Sequence, residues 1–170
     1  MAKQRSPYQE FIRKAIDLGA TDAKIIEARS IVTAAWVRMK CQFGCDGFNS
    51  SFCCPPHTPR PEETQRVIDC YSQAILVHHR KLGAMTKLIV RLEREIFLSG
   101  YYQSLGFGCG PCTVCRTCEG ASCKYPEKTR PSMEACGIDV FATARGNGFP
   151  IDVVRDKDDE TNFYGVVLIT

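Results

Sequence analysis

Residues 109–123 read CGPCTVCRTCEGASC, five cysteines in fifteen positions, with Pro126 three residues further on. Cys109, Cys112, Cys115 and Cys118 repeat at every third residue, and Cys123 follows after a gap of four. Packing gives a loop no reason to carry so many thiols. The stretch therefore reads as a ligand loop, and the elements around it as its scaffold. A second group, Cys41, Cys45, Cys53 and Cys54, lies upstream beside Pro55 and Pro56.

Composition bounds the rest. A chain of 170 residues, 44% hydrophobic and 24% charged, is the size and make-up of one globular domain, residues 1–170. The formal charge of +3 counts the cysteines as neutral, so metal-bound thiolates would offset it. A scattered basic excess is not the clustered patch that nucleic-acid binding requires. No apolar run follows MAKQRSPYQE, so no secretory signal is expected. The longest mostly apolar run, Ile31 to Val37, is too short to span a bilayer. The expected compartment is the cytoplasm. There an odd total of eleven cysteines points to metal or redox chemistry rather than disulfides.

Hydrophobic spacing supplies the scaffold. Ser6 as cap, Pro7 and Gln9 open a first helix, whose apolar side runs from Tyr8 through Phe11, Ile12, Ala15 and Ile16 to Leu18 before Gly19 stops it. Lys24 to Arg29 reads as a strand, and Ser30 to Lys40 suits either helix or extended chain. Residues 41–63 carry loop chemistry throughout, and Pro61 opens the next helix with Glu62 and Glu63 favouring its dipole. Ala74 to His78 is a buried strand. From Ala84 to Ser99, Met85, Leu88, Ile89, Leu92, Ile96 and Phe97 form the inner side of a helix, with Arg91, Glu93 and Glu95 on the outer. A strand over Tyr101–Phe107 then leads into the cysteine loop. Pro131 opens a helix to about Arg145, in which Gly137 costs about 1 kcal/mol against alanine and so implies close packing. Val166 to Ile169 is a short last strand. Interleaved helices and strands predict an α+β (or α/β) fold, a small mixed sheet flanked by helices, with two cysteine-rich metal-binding loops between elements.

Cys112, Cys115, Cys118 and Cys123 run C-x2-C-x2-C-x4-C. This is close to the ferredoxin pattern, in which a loop turning every third residue offers thiolates to the corners of a 4Fe–4S cluster. Gly110, Gly120, Ala121 and Ser122 keep that backbone slim, so its N–H groups can face sulfur. Zinc is the rival metal, but it usually takes two separated C-x2-C knuckles; His57 would complete a mixed ligand set in that case. Upstream, Cys41, Cys45, Cys53 and Cys54 offer four thiols, three of which could hold a cluster. Adjacent cysteines rarely reach one ion together, so Cys53 reads as a ligand or a small buried side chain. Cys109 and Cys136 are spare candidates for a fourth upstream ligand. Cys70 reads as packing, and His78 and His79 face opposite ways on a strand.

The stretches VRMKCQFGC, FCCPPHTP, GPCTVCRTC, CKYPEKTRPSMEACGIDVFATARGNGFPI and GVVLI resemble the metal-binding family catalogued as domain of unknown function 2284. The resemblance runs from about Val37 to Ile169 and implies a small cytoplasmic metal protein. It implies ligand groups of Cys41, Cys45 and Cys54, and of Cys112, Cys115, Cys118 and Cys123. The family pattern has a small residue where this chain has Cys53.

Three functions fit these readings. The first is an electron carrier with one or two 4Fe–4S clusters and a redox partner protein, guided by Arg116, Lys124, Lys128 and Arg130. The second is an iron–sulfur enzyme whose upstream group leaves an iron open. The third is a zinc-stabilised adaptor. Neither nucleic acid nor a membrane is an expected partner.

Overall fold

Strand β2 (Gln73–His79) carries the alternation on which both cores are built. Ala74 and Leu76 face one way and Ile75 and Val77 the other, all of them shut off from solvent. The computed structural model describes residues 7–170, so the expected cap Ser6 lies outside the described residues. Strands β1 (Asp22–Glu27) and β4 (Phe163–Leu168) flank β2, and β3 (Leu105–Phe107) pairs with the far side of β4. The order β1-β2-β4-β3 is antiparallel at every pairing. The sheet is therefore wholly antiparallel rather than mixed, which selects α+β over α/β.

Helices α1 (Gln9–Asp17) and α4 (Met85–Leu98) cover one face, where Phe11 and Ala15 join Met85, Leu88, Ile89, Leu92 and Ile96 over Ile75, Val77 and Val167. Each large side chain buried there contributes roughly 1.5–3 kcal/mol before ordering costs, which makes α4 the principal clamp. It lies directly on backbone. A Cβ added to Gly165 would meet Ile89 at 2.7 Å, and one on Gly106 would meet Ile89 at 2.6 Å and Glu93 at 2.7 Å. On the other face, α3 (Pro61–Ile68) and α5 (Val140–Gly146) bring Ile68, Val140 and Ala144 onto Leu76, Tyr164 and Val166. Helix α2 (Ala35–Gly44) packs at the side against a 3-10 turn, Glu134–Cys136.

Several elements differ from expectation. The stretch Ser30–Lys40 divides: a 3-10 turn ends at Ser30 and α2 starts at Ala35. Cys41 through Gly44, expected in a loop, form the last turn of α2. The strand over Tyr101–Phe107 shrinks to three residues because Ser104 N–H turns back to the Tyr101 carbonyl at 3.0 Å. Phe97 is half-exposed rather than inner, and Glu95 pairs with Lys14 at 3.1 Å. The helix expected from Pro131 to Arg145 is broken at Gly137, whose φ of +78° is left-handed. The chain restarts at α5, where Asp139 caps by accepting from Ala142 N–H at 2.9 Å.

Close packing at Gly137 is present: a Cβ there would meet the Pro61 ring at 2.4 Å. Gly137→Ala combines left-handed strain with overpacking and is expected to destabilise the metal-loaded protein by roughly 2–4 kcal/mol, read as a lower denaturation midpoint.

Candidate metal centre

The downstream loop is closed at its base. Gly108 N–H donates to the Pro131 carbonyl at 2.8 Å, and Met133 N–H returns a bond to the Gly108 carbonyl at 3.0 Å, so residues 109–131 leave and re-enter the fold at one point. Arg130 secures the exit strand of that loop. Its Nε and Nη2 grip both oxygens of Glu93 on α4 at 2.7 and 2.6 Å, and Gly106 N–H donates to the same carboxylate at 2.7 Å. Hydrogen bonding to Glu93 holds the Arg130 guanidinium charged, above its ordinary range. Its Nη1 donates to the Pro126 carbonyl at 2.9 Å.

Beyond this anchored base, Cys53, Cys112, Cys115, Cys118 and Cys123 ring a cavity of about 450 Å3, with Arg116 and Lys124 on its wall. The buried hydroxyl of Thr129 bridges two of them, 3.3 Å from Cys53 Sγ and donating to Cys112 Sγ at 3.2 Å. Burial pushes the Cys53 thiol up to about 11; its hydrogen bond with Thr129 works against this, while Cys112 and Cys123 add to it. The structure thus brings the four downstream cysteines together and adds Cys53 to them.

The upstream group opens from the last turn of α2. Cys41 Sγ approaches the Glu134 carbonyl at 3.8 Å. The chain turns through Asn49 at φ +59° and returns, Asn49 N–H bonding the Pro55 carbonyl at 2.7 Å. Gly47 lies between two sulfurs: a Cβ there would stand 3.4 Å from Cys45 Sγ and 3.8 Å from Cys54 Sγ. Gly47 N–H donates to Cys45 Sγ at 3.4 Å, and the Ser51 hydroxyl donates to Cys54 Sγ at 3.3 Å. Adjacent Cys53 and Cys54 therefore serve different cavities. Cys41, Cys45 and Cys54 border a largely apolar cavity of about 530 Å3, with Trp36, Val140, Phe141 and Ile151 among its walls.

Arg38 fastens this loop to the turn before Gly137. Its Nη1 donates to Thr58 Oγ1 at 3.0 Å and to the Pro59 and Ala135 carbonyls at 3.2 and 3.0 Å, and its Nη2 donates to the Thr58 carbonyl at 3.2 Å. Beside it, Glu134 is among the residues lining the cavity, and its Oε2 is closed to solvent and has no hydrogen-bond partner. Burial pushes the Glu134 carboxyl up, against its own backbone N–H and the Ser132 hydroxyl. Burial also raises the Cys41 thiol, and Cys45 and Glu134 add to the effect.

The spare thiols are buried in the two apolar cores, Cys109 also at the edge of the upstream cavity. Cys136 is fully buried among the apolar side chains of the α3 and α5 face, and burial pushes it up to about 12. Cys109 is pushed up to about 12 in the same way, within the cluster under α4. Cys70, expected in packing, is exposed and donates to the Arg66 carbonyl at 3.3 Å, one helical turn back. His57 is an exposed loop residue 3.0 Å from Asn49 Oδ1. His78 is buried, 2.8 Å from Asn162 Oδ1, and His79 is not. Among the described residues, no three His, Cys, Asp or Glu side chains converge at the spacing of a single ion; the thiols line cavities instead.

Sequence reasoning did not single out Thr129, Arg38 or Glu134. The one visible signal was Glu134 itself, an acid set among Met133, Ala135, Cys136 and Ile138.

The chain matches, over residues 24–169, the family described as Predicted metal-binding protein (DUF2284). No curated protein and no solved structure matches it. No helix among the described residues is long and apolar enough to cross a membrane.

Arg38→Met would strip several partly buried acceptors of their donor at once. Each unsatisfied group costs about 1–3 kcal/mol, so the loop over residues 45–60 is expected to become the first site of limited proteolysis. Digestion followed by mass spectrometry reads this.

Proposed function

The chain belongs to the DUF2284 family of predicted metal-binding proteins, and from that premise we propose that it is a cytoplasmic protein holding two 4Fe–4S clusters for electron transfer. Cys112, Cys115, Cys118 and Cys123 hold the downstream cluster, with Cys53 at its edge. Cys41, Cys45 and Cys54 hold the upstream one. When bound, such a cluster takes up and releases a single electron.

The observation that carries this reading is the ring of five thiols around one cavity of about 450 Å3. A zinc ion draws its sulfurs in to about 2.3 Å from one point, whereas thiols spread around a cavity suit a larger group with several corners. The donor set fits as well. Thiolates are the ligands iron–sulfur clusters use, and the Thr129 hydroxyl and Gly47 N–H supply hydrogen bonds to sulfur that tune such a centre. Arg116 and Lys124 on the downstream wall suit an acidic redox partner.

A second reading is favoured by the apolar cavity of about 530 Å3 beside the upstream thiols, which has room for a small molecule. In it an iron held by Cys41, Cys45 and Cys54 would supply Lewis-acid chemistry to a substrate in that cavity. A change in one cluster's spectrum on adding a small ligand supports this reading, and fourfold cysteine ligation at every cluster removes it.

Purification without oxygen, followed by assay of iron, acid-labile sulfide and zinc, tests the proposal. About eight irons and eight sulfides per chain are expected, with bleaching by dithionite that reverses on oxidation. A colourless protein with zinc and no sulfide would overturn it. Thr129→Val removes a hydroxyl donor from Cys112 Sγ and is expected to lower one midpoint potential by tens of millivolts, leaving the other in place. Redox titration followed by electron paramagnetic resonance reads the two separately.

A further inference from the structure

Three thiols are one short of the four that a cubic cluster takes from its protein. The two spare cysteines are poor candidates for the missing place. Cys136 is fully buried in the apolar core and does not border the upstream cavity. Cys109 borders it, but belongs to the apolar cluster on the opposite face of the sheet.

Glu134 is as deeply buried, but it differs in lining the cavity with an oxygen left unpaired. It borders the same cavity as Cys41, Cys45 and Cys54, and its own carbonyl is 3.8 Å from Cys41 Sγ. Its Oε2 is the one buried side-chain oxygen or nitrogen among the described residues that lacks a hydrogen-bond partner. A native fold does not keep such an atom without cause, and an ion is one of the few that serve. The backbone is held to match. Arg38 binds the Ala135 carbonyl, and Thr64 Oγ1 donates to the Cys136 carbonyl at 2.7 Å, so the turn carrying Glu134 is fastened on both of its following peptides.

We propose that Glu134 is the fourth protein ligand of the upstream centre, its carboxylate binding the iron that Cys41, Cys45 and Cys54 leave without a thiolate. This rests on the two-cluster reading above and deepens it. A carboxylate is a harder and more exchangeable donor than a thiolate. An iron held by it would therefore be the corner at which an incoming oxygen or sulfur donor could replace a protein ligand, beside the apolar cavity that these residues line.

The test uses the full chain purified without oxygen, as wild type and as Glu134→Ala, Glu134→Gln, Glu134→Cys and Cys109→Ser. Each is assayed for iron and sulfide and examined by electron paramagnetic resonance after reduction with dithionite. The alanine and glutamine variants are expected to lose or alter one cluster signal and keep the other, iron falling from about eight toward about four per chain where the cluster is lost. The cysteine variant is expected to retain its iron with a changed signal, and Cys109→Ser to match wild type. Wild-type iron and spectra in both the alanine and glutamine variants would overturn the assignment, as would loss of a cluster in Cys109→Ser. Loss of both signals in every Glu134 variant would give the residue to folding and likewise overturn it. A wild-type protein without iron and sulfide defeats the two-cluster reading itself, whereas two intact wild-type clusters indifferent to Glu134 defeat the ligand assignment alone.

Discussion

The seating of the downstream cysteine loop on the fold depends on the bidentate contact between Glu93 and Arg130. Glu93 is fixed from beneath by Gly106 N–H, and Gly106 has no side chain, so α4 can come down onto the strand. Arg130 is fixed from above by the carbonyls of the loop it terminates. One ion pair thus joins the densest apolar core to the least regular segment of the chain. Removing either partner would leave the other charge largely buried, which is the costly way to break such a pair.

Apart from Arg38 and a few backbone bonds, the cysteine loops have little regular structure to hold them. Cys53 and Cys54 are buried, but Cys45 and Cys118 are exposed and Cys41, Cys112, Cys115 and Cys123 are partly so, on a backbone made largely of turns and bends. In the upstream group, burial and neighbouring thiols both resist ionisation of Cys41. A bound cation reverses that balance, because it stabilises the thiolates that burial penalises. The fold supplies the two fixed rims, and a metal bound as proposed would supply the convergence between them.

How much of this could be read from residues alone varies with the kind of interaction. The apolar faces of α1, α4, β2 and β4 were legible because burial leaves a period in the text. The break at Gly137 was half legible: its glycine announced close packing, but only the Pro61 ring above it explains why the helix stops there. Phe97 obeys the helical spacing and still lies outside, since the edge of an apolar stripe is set by what covers it. At the site, the thiols declared themselves by spacing. Arg38, Thr129 and Glu134 did not, because each acts across a large separation along the chain, on a backbone carbonyl, a sulfur or a cavity. Such contacts leave no period.

Cys53 and Cys54 face different cavities although a single peptide bond joins them. That bond is the shortest covalent link the chain can offer between two centres. With both loaded as proposed, the two sites would stand one peptide bond apart, close enough for a backbone shift at one to be felt at the other. In that reading the adjacent cysteines would link two neighbouring centres, each with its own remaining ligands.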